Sequence, residues 1–182
     1  MMDQKKIQEL ISRSQQEDAA AFSLLVSTFQ PLVFRLAFRL LCDEDEAKDM
    51  VQETFVKVWL ALGKYNGECR FSTWIYKITC NTCYDRLRSL YHSPLDNEAD
   101  YSVSVNISSD DNVELAVVNK QLRELILRYT DELSPRQRLI FTLRDIEELD
   151  VPEVQIITGL SAGIIKTTLY LARKNIRNKM NQ

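Results

Sequence analysis

Apolar residues recur every three or four positions along almost the whole 182-residue chain, and this rhythm breaks clearly only once, between positions 92 and 112. That spacing places apolar side chains on one face of a helix. Glycine and proline interrupt helices most strongly, and the chain has 4 of each. The expected fold class is therefore all-α.

Individual helix boundaries follow from capping residues. Asp18 can cap a helix whose inner face is Phe22, Leu25, Val26 and Phe29. Pro31 suits the first turn of a second helix, with Leu32, Val33, Leu36, Ala37, Leu40 and Leu41 inward. Asp43, with Glu46 three residues on, opens a third helix carrying Ala47, Met50, Val51, Phe55, Val58, Trp59 and Leu62, which Gly63 is expected to end. Ser72 can cap a fourth helix running to about Arg88.

Residues 92–112 are rich in Ser and Asn, contain Pro94, Asp96, Glu98, Asp100, Asp110 and Asp111, and have no Lys or Arg. Such a composition reads as a flexible acidic linker. Helical spacing resumes at Val113 with Leu115, Val118, Leu122, Leu125, Ile126 and Tyr129. Ser134, Pro135 and Gln137 form a capped helix start. Asp150, Pro152 and Glu153 start a short helix, residues 159–161 form a turn, and a last helix spans about 162–179. The expectation is two small helical domains, 1–91 and 113–182, joined by the linker 92–112.

Composition bounds the setting. Hydrophobic residues make up 45% and charged residues 27%, ordinary soluble-globular values. No unbroken apolar run approaches the roughly 20 residues of a membrane helix, and residues 1–10 are polar, unlike a secretion signal. The protein is therefore expected in the cytoplasm, without membrane insertion. There, Cys42, Cys69, Cys80 and Cys83 are expected as free thiols.

The C-terminal half reads as a helix-turn-helix: a short helix from Val151, a turn containing Gly159, and a second helix after Ser161. Ile165, Leu169, Ala172 and Ile176 form its inner stripe. The other face carries Lys166, Thr167, Tyr170, Arg173, Lys174 and Arg177, and no acid occurs from Leu160 onward. A net charge of -3 does not oppose DNA binding, because the distribution of charge decides it. A cationic second helix suits a DNA major groove.

The N-terminal half segregates its charge. Asp43, Glu44, Asp45, Glu46, Asp49 and Glu53 make the third helix acidic. The helix dipole accounts for those in the first turn, whereas Asp49 and Glu53 lie beyond it. With Gln52 they share a face that suits a basic protein partner. Residues 64–88 interleave Lys64, Arg70, Lys77, Arg86 and Arg88 with Tyr65, Phe71, Trp74 and Tyr76. Cations that hold phosphates beside rings that stack on unpaired bases suit single-stranded nucleic acid.

Three motifs in order carry a resemblance. DMVQETFVKVW (49–59) resembles the polymerase-binding helix of sigma region two. FSTWIYKI (71–78), followed by Asn81, Asp85, Leu87 and Arg88, resembles the neighbouring promoter-melting segment. LSPRQR (133–138) and LRDI (143–146) resemble the start of sigma region four. The spacing is similar to that of the extracytoplasmic-function (ECF) group of sigma factors, and the likeness covers nearly the whole chain.

This resemblance implies a transcription initiation factor with RNA polymerase core, promoter DNA and an anti-sigma factor as partners. It implies no cofactor, metal or small-molecule substrate. Polymerase binding would fall to Asp49, Gln52, Glu53, Phe55, Lys57 and Trp59. The −10 element would be opened and held by Lys64, Tyr65, Arg70, Phe71, Ser72, Thr73, Trp74, Lys77, Asn81, Arg86 and Arg88. The −35 element would be read by Ser161, Lys166, Thr167, Tyr170, Arg173, Lys174 and Arg177. The chain departs from the family at Thr168 and Leu171, where basic residues are common, and at Pro152.

Other readings are weaker. Cys80 and Cys83 form a C-x-x-C that would need Cys69 and His92 to complete a zinc site, and no second such pair exists. The lone His92 and the absence of a phosphate-binding glycine loop argue against an enzyme. A helix-turn-helix regulator that is not a sigma factor remains the alternative. It would bind an operator by itself, whereas a sigma factor acts through core polymerase.

Overall fold

The computed structural model describes residues 4–91, 124, 128–130 and 133–180. Among these the order is α1 (Gln4–Ser14), α2 (Ala19–Leu41), α3 (Glu44–Ala61), a 3-10 turn (Leu62–Lys64), α4 (Phe71–Tyr91), α5 (Pro135–Phe141), a π turn (Thr142–Ile146), α6 (Val151–Thr158) and α7 (Ala162–Met180). The expected linker 92–112 and most of the helix expected from 113 lie outside the described residues, although 124 and 128–130 are helical.

Helix α1 was not foreseen. It has few apolar residues, but Leu10 and Ile11 are buried and the Ser14 hydroxyl donates to the Leu10 carbonyl at 2.7 Å. Gln15 then donates through Nε2 to the carbonyls of Leu62 (3.0 Å) and Tyr65 (2.9 Å). These bonds fasten the end of α1 to the turn after α3, and the Leu62 carbonyl accepts from the Tyr65 amide as well.

The expected break at Pro31 does not occur. Residues 19–41 form one helix with Pro31 inside and exposed. Asp18 caps it as expected, accepting from the amides of Ala20 and Ala21, both at 3.0 Å. Proline in a helix interior costs about 3 kcal/mol. The stripe Leu25, Phe29, Val33, Leu36 and Leu40 stays in phase across it, and burying each such side chain returns roughly 1.5–3 kcal/mol. Packing against α1, α3 and α4 therefore outweighs the proline. As one helix, α2 is long and apolar enough on average to cross a membrane, although polar residues interrupt its apolar run as the sequence expectation had it. The stripe from Leu25 to Leu40 lies in the core, Leu24 is exposed, and Arg35 and Arg39 interrupt the stretch.

Cys42 ends α2 in the left-handed region (φ 56) and returns its N–H to the Phe38 carbonyl. Gly63 does not end α3, because the chain continues through the 3-10 turn; the left-handed glycine is Gly67 (φ 79). Helix α4 starts at Phe71, so Ser72 lies within its first turn and does not cap it. Both capping boxes of the C-terminal half form as expected, Ser134 with Gln137 and Asp150 with Glu153, and Gly159 ends α6 at φ 71. The π turn was not foreseen. It breaks the helical register, and the Glu147 amide returns to the Thr142 carbonyl at 2.9 Å.

The core has two parts. One joins α1 and the first half of α2 to α3 and the start of α4, through Leu10, Leu25, Phe29, Val51, Phe55, Val58 and Ile75. The other joins the ends of α2 and α4 to α5, α6 and α7, through Leu36, Leu40, Tyr76, Cys80, Leu139, Ile157 and Leu169. The second part crosses from the N-terminal half to the C-terminal half.

Candidate nucleic-acid and partner interface

The acidic face of α3 is open. Asp49, Gln52 and Glu53 are exposed on the side opposite Met50, Thr54 and Val58, which are buried. Lys57 pairs with Glu53 at 2.7 Å and donates to the Thr82 hydroxyl on α4 at 3.2 Å. Phe55 is only 7% exposed, so this candidate partner residue belongs to the core. Trp59 is at the surface with its ring 4.7 Å from that of Phe22. Leu24, Val56 and Leu60 are also exposed. None of these three was expected on an inner face, whereas Trp59 was, and it lies at the surface instead.

The aromatic segment is built on buried rings. Tyr65 and Phe71 are buried, with Phe71 edge-on to Phe29 at 5.3 Å and to Tyr65 at 5.2 Å. The Tyr65 hydroxyl donates to the Cys69 carbonyl at 2.8 Å, and burial pushes its pKa up. Trp74 rests on this base, 5.6 Å from Phe71 and 5.2 Å from Tyr65, and is half-buried. Of the candidate −10 residues, Tyr65, Phe71 and Thr73 are thus core supports, and Trp74 is the ring they present.

Trp74, Lys77, Asn81 and Arg88 fall three, four and seven residues apart and share one stripe of α4. Lys77, Asn81 and Arg88 are exposed, as are Lys64 and Arg70 before the helix; Ser72 is half-buried. Arg86 is engaged elsewhere. Its Nε donates to Glu46 Oε2 at 2.6 Å and its Nη2 to Oε1, clamping α4 to α3. This guanidinium holds the Glu46 carboxyl below its usual range, against a smaller opposing effect of burial.

The helix-turn-helix forms as expected. In α7, Ile165, Leu169 and Ala172 are buried and Ile176 is half-buried, while Ser161, Lys166, Thr167, Tyr170, Arg173, Lys174 and Arg177 are exposed. Arg173 is paired: its Nε donates to Asp145 Oδ2 at 2.8 Å and its Nη2 to Oδ1 at 2.6 Å. Thr168 and Leu171 lie on the same helix, half-buried and exposed respectively.

Several residues that join the halves carried no local signal. Arg138, 5% exposed, donates through Nη2 to the Thr130 carbonyl at 2.9 Å and through Nη1 to the Leu40 carbonyl at 3.3 Å. Glu147 accepts from Arg39 and from the Tyr76 hydroxyl. A crevice between the halves is lined by Asn81 and Tyr84 of α4 and by Arg136, Leu139, Ile157 and Leu160. Cys80 and Cys83 are buried on α4, where burial raises both thiols, Cys83 to about 12. They are therefore protonated core residues near neutral pH.

Comparison with known proteins agrees with this architecture. Residues 25–92 match the family described as Sigma-70 region 2, and residues 123–176 match Sigma-70, region 4. The ECF RNA polymerase sigma-E factor of Escherichia coli K12 is 31% identical, covering 99% of this chain and 97% of that protein. The RNA polymerase sigma-H factor of Pseudomonas aeruginosa is 28% identical over 97% of this chain and 94% of its own length. Among solved structures, CnrH in complex with the cytosolic domain of CnrY has a TM-score of 0.69 at 20% identity, covering 98% of both chains. The sigma factor RpoE of Bartonella quintana, in complex with the anti-sigma factor NepR, has a TM-score of 0.61 at 22% identity, covering 88% of this chain and 96% of its own. These two structural likenesses bear on the fold.

Proposed function

The chain belongs to the RNA polymerase sigma-70 family, in its ECF group, and from that premise we propose that it brings core polymerase to promoters and opens them. Residues 1–91 act as region two and residues 113–182 as region four. Asp49, Gln52 and Glu53 dock on the polymerase with Trp59 at the edge of the contact. Trp74 stacks on an unpaired base of the −10 element, while Lys64, Arg70, Lys77 and Arg88 hold phosphates and Asn81 reaches a base edge. Helix α7 enters the major groove at the −35 element. Lys166, Thr167 and Tyr170 meet base edges there, and Lys174 and Arg177 meet phosphates.

The observation that carries this reading is the stripe of Trp74, Lys77, Asn81 and Arg88 on a helix braced by a buried aromatic base. A ring held at an edge, with cations along one line of the helix, matches what unpaired bases and their phosphates require. By analogy with the Bartonella quintana complex, an anti-sigma factor holds the protein inactive.

In vitro transcription with purified core polymerase over a promoter library tests the proposal. Start-site selection dependent on this chain supports it. Core polymerase that gains no selectivity, together with dimeric binding of this chain to an isolated duplex, would instead support a regulator acting alone.

A further inference from the structure

Helix α7 shows two different surfaces to solvent. Lys166, Tyr170, Arg173 and Arg177 are exposed, fall three or four residues apart and form a cationic stripe. Ile164, Thr167, Leu171 and Lys174 are exposed at the same spacing and form a second stripe. That second stripe lies roughly 150° around the axis from the buried Ile165, Leu169 and Ala172. Ile164 is 44% exposed and Leu171 is 42% exposed. The side of the helix turned away from the core is thus half apolar, which phosphate contacts do not explain.

The start of this stripe is held in place. The Ser161 hydroxyl accepts from the Ile164 amide at 3.4 Å, and the Ser161 carbonyl accepts from the Ile165 amide at 3.0 Å. Gly163 stands next to Ile164 and is not in the left-handed region. Among the described residues, no atom lies within 4 Å of the place its Cβ would take. Glycine is the poorest helix former after proline, so the fold itself has no use for it here. What the missing side chain leaves is a notch beside Ile164, open to the outside of the helix.

A major groove displays hydrogen-bond donors, acceptors and one apolar group, the C5 methyl of thymine. An aliphatic side chain forms no hydrogen bond, so that methyl is what it can recognise there. The N-terminal residues of the second helix in a helix-turn-helix are those that meet base edges. Ile164 stands in that first turn, whereas Leu171 stands about two turns further on.

We propose that Ile164, in the notch left by Gly163, reads a thymine methyl group in the −35 element and so sets sequence specificity there. The proposal rests on the reading of α7 as the −35 helix.

The test uses holoenzyme reconstituted from core polymerase and the full chain. A promoter pool randomised over the −35 element yields its most enriched duplex. Each thymine of that element is then replaced singly by deoxyuridine, which removes only the methyl group. Affinity is read by competition at one salt concentration. One replacement should weaken binding about fourfold, the effect of losing contact with one methyl group. Ile164→Ala should weaken binding to the thymine duplex and hold the thymine and uracil duplexes equally. Leu171→Ala, at similar exposure on the same stripe, should keep the full uracil penalty. Gly163→Ala should keep or raise the melting temperature yet weaken binding to the thymine duplex, because the added methyl fills the notch.

The proposal is overturned if every uracil costs less than about 1.5-fold, well short of one methyl contact. It is also overturned if the penalty survives Ile164→Ala, which would turn that side chain toward the polymerase, if Leu171→Ala abolishes the penalty too, or if Gly163→Ala binds unchanged. A pool with no enrichment over the −35 element would remove the groove reading of α7, and this proposal with it.

Discussion

At the scale of single residues, exposure separates the side chains that can meet a partner from those that only support them. Glu53 is exposed and pairs with Lys57 one helical turn away, a contact worth about 0.3–0.5 kcal/mol at a surface. Glu53→Arg therefore leaves folding nearly intact while reversing charge on the proposed docking face. It should weaken core-polymerase binding by about tenfold or more, measured by titration of labelled protein, because like charges placed across an interface cost a kcal/mol or more. Unchanged affinity would remove Glu53 from the contact. Trp74 rests on Phe71 and Tyr65 and is half-buried. Trp74→Ala should slow promoter opening about tenfold or more, since stacking is worth about 1–3 kcal/mol per base. It should change initial duplex binding much less. Permanganate footprinting against filter binding separates the two steps, and an equal loss in both would mark Trp74 as core.

At the scale of elements, helix α2 tests how far packing can carry an unfavourable residue. Pro31 is exposed inside it, so replacement removes a local penalty and little packing. Pro31→Ala should raise unfolding free energy by about 1–3 kcal/mol in urea titrations, up to the full helix-interior cost of proline. No gain would show that the helix already adapts to the ring. The α3–α4 clamp carries a pH signature. Arg86 depresses the folded pKa of Glu46 below the usual 4.5. The stabilisation is thus fully present above the unfolded value and is lost as pH falls through the lower folded value. Because the Arg86 side chain is 41% exposed, the contribution should stay below about 1 kcal/mol after screening. Glu46→Gln should remove it, flattening stability against pH from the usual carboxylate range downward; an unchanged acid limb would mean that the pair contributes nothing measurable.

At the scale of the whole molecule, one hydrophobic cluster spans both halves, and Arg138 fastens it by bonding the end of α2 to residue 130. Hydrogen bonds from a charged group are worth about 1.5–3 kcal/mol each when buried. Arg138→Ala should lower stability by about that amount and uncouple the halves. Tryptophan fluorescence, which reports only the N-terminal half, would then unfold at a different urea concentration from the far-UV signal of both halves. Coincident curves in the variant would show that Arg138 does not couple them.

Much of this was legible in the sequence. The caps Asp18, Asp43, Ser134 and Asp150, the left-handed Gly159 and the stripe Ile165, Leu169 and Ala172 all depend on residues within a few positions of one another. Each such interaction is decided locally. The same local logic misjudged Pro31 and Gly63 and overlooked α1, because packing against distant helices decided those points. It also could not tell which cations are free. Arg86 and Arg173 look like Lys77 and Lys166 in the sequence, yet the first two are spent on Glu46 and Asp145. The closure of the halves lay furthest from view. Arg39 and Glu147 are 108 positions apart, and nothing nearby in the chain marks either as the other's partner. The sequence by itself determined most of the helices, the caps at Asp18, Asp43, Ser134 and Asp150, and the charged faces. The tertiary structure alone decided which of those charges remain available, since that depends on what packing brings within a few ångströms.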